Sequence, residues 1–175
     1  MKLIQVGYSL ITSGNETQTV QLEQVINTED THILFGNNVS VGGNGGSLDA
    51  QPMSDSSADA TSNIDIAWTK CNSNATPQQF GNPNQNFFRI TDGQTTAPNT
   101  VNFVLALYGW KSSSEYSHFT IEATGTLSDN TAIGHQQGGL KHETTSFNGI
   151  KLATNQTGGG GFQAGSQFTM YKVVS

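Results

Sequence analysis

The chain has 175 residues, enough for one domain with its own core, and carries seven Lys or Arg against thirteen Asp or Glu, a formal net charge of −6. With no Lys/Arg cluster it offers no electrostatic footprint for a phosphate backbone, so nucleic acid is not an expected partner. Only 11% of residues are charged, yet 34% are apolar, including two tryptophans and nine phenylalanines. That balance predicts a packed interior under a neutral polar surface rather than a disordered chain.

In chain order, the opening "MKLIQVGYSLITSG" is an apolar run broken by Gln5, Gly7 and Ser9, too short and polar for a signal peptide or a membrane span. No membrane partner is expected. Its apolar residues fit a strand over 3–11, and further strands are predicted over 17–25 and 32–41. The stretch 42–63, "GGNGGSLDAQPMSDSSADATSN", shows no apolar period and reads as a long irregular loop. In "NIDIAWTK", Ile64, Ile66 and Trp68 share one face of a strand. The segment 71–86, with Pro77 and Pro83, reads as a second irregular loop, followed by a short strand at "FFRIT".

The clearest strand is "VNFVLALYGW". Val101, Phe103, Leu105 and Leu107 lie on one face, and the other carries Val104, Ala106 and Tyr108, which predicts a central strand covered on both sides. In "HFTIEAT", Phe119, Ile121 and Ala123 form a dry face. Strands are also predicted over 130–139, 147–153 and 167–174. At Asn148-Gly149 the flanking Phe147, Ile150 and Leu152 favour a strand carried through a bulge over a hairpin turn. No window carries a capped helical period. About ten short strands joined by Gly-, Asn- and Ser-rich turns predict an all-β fold, an antiparallel two-sheet β-sandwich of jelly-roll type with little or no helix, spanning 1–175 as a single domain.

Chemistry is harder to find. There is no G-x-S-x-G elbow, no P-loop and no dinucleotide fingerprint, and thirteen scattered acids single out no catalytic pair, so no enzyme activity, cofactor or metal is assigned. His135 and His142 would need a third ligand from elsewhere to hold zinc, and both read more simply as hydrogen-bonded strand residues. Asp49, Asp55 and Asp59 could gather around a hard cation, against the plainer reading of solvated loop carboxylates. Cys71, the one cysteine, permits no intrachain disulfide and reads as a small buried hydrophobe.

The second half carries a resemblance. The order "NFVLALYGWKSSSEYSHFTIEAT", "GHQQGGL" and "FNGIKLATNQTGGGGFQAGSQFTMYKV" resembles a family of short virion structural proteins of tailed bacteriophages, particularly marine ones. The match covers 102–173. It departs at Met170, and at Lys172 where the family's closing run has glycine. The resemblance implies a jelly-roll-like sandwich closed by the last strand, with Phe162 plugging the core edge and Gly165-Ser166 opening that strand. It further implies a capsid decoration (cement) protein, self-associating as a homotrimer on the major capsid protein or another virion protein. Assembly would take place in the host cytoplasm, without secretion by a signal peptide. The alternative is the head of a tail fibre or head fibre that contacts host surface glycans, with Tyr108, Trp110 and Tyr116 available to stack on sugar rings.

Overall fold

A computed structural model describes residues 1–12, 19–28, 30–42, 46–92, 99–126, 130–156 and 160–174. The described residues form thirteen strands: β1 (Lys2–Leu10), β2 (Thr19–Leu22), β3 (His32–Val39), β4 (Gly46–Ser54), β5 (Ser57–Ala58), β6 (Ile64–Asn72), β7 (Ala75–Gln85), β8 (Phe88–Asp92), β9 (Val101–Tyr108), β10 (Ser117–Thr126), β11 (Ala132–Lys141), β12 (Gly149–Gln156) and β13 (Gln167–Val174). They build an eight-stranded sheet, β1-β13-β3-β9-β10-β11-β6-β7, and a five-stranded sheet, β2-β12-β4-β5, in which β8 also pairs with β4.

The wiring is that of a jelly roll. Four antiparallel pairs nest inside one another along the chain, β1 with β13, β2 with β12, β3 with β9 and β4 with β8, and successive pairs fall alternately in the larger and smaller sheet. A long antiparallel ribbon wound in this way makes a sandwich whose halves interlock. The remaining large strands are additions. The hairpins β6-β7 and β10-β11 are inserted between members of this set and extend only the larger sheet, through β10 pairing with β9 and β11 pairing with β6.

Strand alternation fills the space between the sheets. Ile64, Ile66, Trp68, Val101, Phe103, Leu105, Leu107, Phe119, Ile121, Phe162 and Phe168 are all buried, joined from the smaller sheet by Leu48, Phe88, Ile90, Ile150 and Leu152. Each such side chain contributes about 1.5–3 kcal/mol by leaving water. Two rings lie over glycines of the adjacent strand. Phe103 stands opposite Gly36, where an added Cβ would fall 2.0 Å from the ring, and Phe119 opposite Gly139, where it would fall 2.5 Å from the ring and 2.3 Å from the Asp65 carbonyl.

The closing strand is internal to its sheet, paired with β1 on one side and β3 on the other. Gly165 turns into it at φ +92, donating its N–H to the Ile11 carbonyl at 2.8 Å. The fully buried Ser166 hydroxyl donates to the Ser40 carbonyl and accepts from the Ser40 N–H, at 3.3 and 3.1 Å. Phe162 bridges Val41 and is buried against Phe168, their rings 5.1 Å apart. Of the tetraglycine at 158–161, Gly158 and Gly159 lie outside the described residues, as do 43–45 of the first glycine-rich stretch.

Several expectations are corrected. Both stretches read as irregular loops contain strands: β4 and β5 fall within 42–63, and β7 within 71–86. β9 is covered on one face only, since Asn102, Val104 and Tyr108 are exposed. Cys71 is exposed, on the outward register of β6 opposite Gly134. β12 begins at Gly149, so Phe147 and Asn148 precede the strand. Asn148 is used to tie down the β4-β5 turn, its side chain accepting from the Asp55 N–H at 2.8 Å.

Candidate functional site

The register of the larger sheet places its outward residues in rows that cross the strands. One row runs Gln5, Tyr171, Ile33, Ala106, Thr120, Gly138, Ala67, Gly81, and the next Tyr8, Thr169, Phe35, Val104, Glu122, Gln136, Thr69, Gln79. The chemistry changes at the same place in both. From β1 to β9 the rows are dominated by aromatic and aliphatic side chains; from β10 to β7 they are Thr, Gln, Glu, Gly and Ala.

The apolar half extends beyond these rows to Leu3 opposite Val173 and to Leu10 opposite Gln167, and Phe35 meets Tyr171 edge-on at 5.7 Å. Leu3, Tyr8, Leu10, Val104 and Tyr108 are 47%, 52%, 42%, 38% and 40% exposed, which at roughly 200 Å² per large side chain is about 400 Å² of apolar surface. That alone is as large as the largest patch on many monomers, about 300–600 Å². The half-buried Ile33, Phe35, Tyr171 and Val173 add to it. β1 is moreover the sheet's edge strand, a position that soluble chains normally blunt with charge.

At one corner of this half lies a groove of about 560 Å³ lined by Tyr108, Gly109, Ser114, Glu115, Tyr116, His118 and Thr144. Tyr108 and Tyr116 (51% exposed) therefore do face one open space, beside a carboxylate. Trp110 does not join them. The chain turns inward after Gly109 (φ +67), burying Trp110 against Phe88 and Phe147, and its Nε1–H donates to the His118 carbonyl at 2.9 Å. It is a core residue.

The residues considered for metal or acid–base work are dispersed. Asp49 is buried and receives the Arg89 Nε–H at 3.1 Å, Asp55 bonds Asn148, and Asp59 meets Lys141, so the three carboxylates have separate partners. His135 points inward, its Nδ1–H donating to the Ile90 carbonyl at 2.7 Å, whereas His142 is on the surface with Nε2 on Asp65 Oδ2 at 2.6 Å. That bond, and after it the Asn84 N–H, hold the Asp65 carboxyl below its ordinary value. Among the described residues no group of three or more His, Cys, Asp or Glu converges as metal ligands would.

Sequence reasoning missed two features. One is the apolar outer half, visible in the sequence only as apolar residues on both faces of 3–11 and of 101–108. The other is the cluster around Lys141, whose signal is Asp59, Thr61 and Asn63 at alternate positions. No family model, no curated protein and no solved structure matches the chain.

Proposed function

We propose that this chain is a virion structural protein of a tailed bacteriophage, a capsid decoration protein that binds the outer shell as a symmetric homo-oligomer, most simply a trimer. The observation that carries the reading is the division of the larger sheet's outer face. An apolar half of about 400 Å² or more is half of the roughly 800 Å² that each partner buries in a standard interface. Under closed three-fold symmetry one side of this surface on each copy meets a different side of it on the next, so the contact is apolar on both partners. The polar half and the β6-β7 hairpin stay outside such a contact and are free to meet solvent or the shell. The phage context comes from the likeness of 102–173 to short virion proteins, since a jelly roll alone implies no function.

A second reading, a receptor-binding head that contacts host glycans, is favoured by the groove between Tyr108 and Tyr116, because paired exposed aromatics beside a carboxylate suit a sugar ring. One experiment separates the two. Purified protein is mixed with particles that lack it and located by electron microscopy. Regular density over the shell is the expected result; density confined to the tail, or no particle binding with retention on host cells, overturns the decoration role.

A further inference from the structure

Lys141, the last residue of β11, is 1% exposed although it is a lysine. Its Nζ meets the side-chain carbonyl oxygen of Asn63 and Asp59 Oδ2, and stands 2.5 Å from Glu143 Oε1 and 3.0 Å from Thr61 Oγ1. The Phe147 ring, 5.4 Å away, closes the apolar side. The backbone holds this arrangement in place. Lys141 pairs with Ile64 across β11 and β6, and the His142 N–H donates to the Asn63 carbonyl at 2.9 Å, which sets the two side chains side by side.

A buried ion pair would need only one carboxylate. Here a carboxamide, two carboxylates and a hydroxyl converge on one amine nitrogen. We propose that Lys141 and Asn63 become covalently joined, Nζ to Cγ, in an intramolecular isopeptide bond. The amine sits against the amide oxygen, and the carbonyl carbon is one bond of about 1.2 Å beyond it, so the nitrogen approaches the roughly 3–3.5 Å of a near-attack pair.

The remaining groups match the steps of the exchange. Asp59 takes a proton from Nζ, leaving a neutral amine. The burial of Asp59 works against its charge, but the Lys141 contact and the hydrogen bonds from Thr61 outweigh it and keep the carboxyl ionised, as a base must be. Thr61 Oγ1 lies 3.2 Å from Asn63 Oδ1, and once Asp59 has taken the Nζ proton the hydroxyl hydrogen it gave that carboxylate can turn to Oδ1, opposing the charge that develops there on attack. The C–N bond to Nζ forms and the second Nζ proton passes to the Glu143 carboxylate, 2.5 Å away; the bond from Cγ to the amide nitrogen breaks, and the Asp59 proton leaves with that nitrogen as ammonia. One amide replaces another, so neither oxidant nor cofactor is required. The bond would tether the segment before β6 to the end of β11, 78 residues apart, in a chain whose one cysteine permits no intrachain disulfide.

The test is the denatured mass of the full-length protein, followed by tryptic mapping. The expected result is a deficit of one ammonia from the sequence mass and a branched peptide joining 3–70 to 112–151, both abolished in Lys141→Arg and in Asn63→Ala. Asp59→Asn, which retains both reacting groups, should slow the mass change by at least tenfold. The full sequence mass would overturn the proposal. So would a deficit of one water, which places the bond on a carboxylate, or an ammonia deficit that maps to a succinimide at Asn148-Gly149 with 3–70 and 112–141 recovered unlinked.

Discussion

Phe168→Ala removes a ring at the point where the closing strand meets the core. Phe168 is fully buried, sits opposite Gly36 across β13 and β3, and packs against Phe162 at 5.1 Å and Phe103 at 6.3 Å. Gly36 has no side chain with which to fill the void, and Phe162 is held by its bridge to Val41, so the cavity should stay largely open. The cost is then at the upper end for such truncations, about 3–5 kcal/mol. For a chain of this length that corresponds to a fall in Tm of about 6–20 °C. Thr169→Ala, one residue along and facing outward, should cost no more than about 1 kcal/mol. Urea and thermal unfolding followed by circular dichroism measure both. A Phe168→Ala protein that melts within about 2 °C of wild type, less than 1 kcal/mol, would show that the terminal strand is not part of the cooperative core.

Two further outcomes are expected. Gly36→Ala forces a methyl onto the Phe103 ring and should cost about 1–3 kcal/mol, whereas Gly138→Ala, whose Cβ would meet nothing closer than 3.9 Å, should be tolerated; urea midpoints compare them. The second concerns pH. His32 is buried, its Nδ1–H donates to the Asp30 carbonyl at 2.8 Å, and burial holds its pKa below the ordinary 6.5. The unfolded chain therefore binds this proton first as the pH falls. Stability present above about pH 6.5 should be lost as the pH drops through the folded value, and His32→Gln should flatten that limb of a stability profile. An unchanged slope between pH 7 and 5 would contradict the assignment.

How much of this could be read from sequence varied with the cause of each element. β6, β9 and β10 were legible because one face of each is buried, which writes a period of two into Ile64, Ile66, Trp68 and their counterparts. β4 was not, because Leu48, Asp49, Ala50, Pro52 and Met53 are all buried and the period disappears. β7 was hidden for the opposite reason. Almost every one of its residues is exposed, and hydrogen bonding to β6, not burial, makes it a strand.

At the candidate site the same limit applies. Tyr108, Trp110 and Tyr116 stood in the sequence as one set of candidates, and the turn at Gly109 that takes only Trp110 inside leaves no composition signal. The apolar half of the outer face is a property of register: Tyr8, Phe35 and Val104 are far apart in sequence and share a row only through the pairing of β1, β13, β3 and β9. Lys141 and Asn63 are brought together in the same way, by the β11-β6 register.

Whether copies of the chain meet through this apolar half is decided by sedimentation velocity of the purified protein beside a Tyr8→Asp/Val104→Asp variant. Both positions point outward, so the fold should survive, as an unchanged circular dichroism spectrum would verify. The wild-type chain should sediment as a discrete oligomer, three copies in its simplest form, and the variant as a monomer. A wild-type chain that sediments as a monomer at high micromolar concentration, or a variant that remains oligomeric, would contradict it.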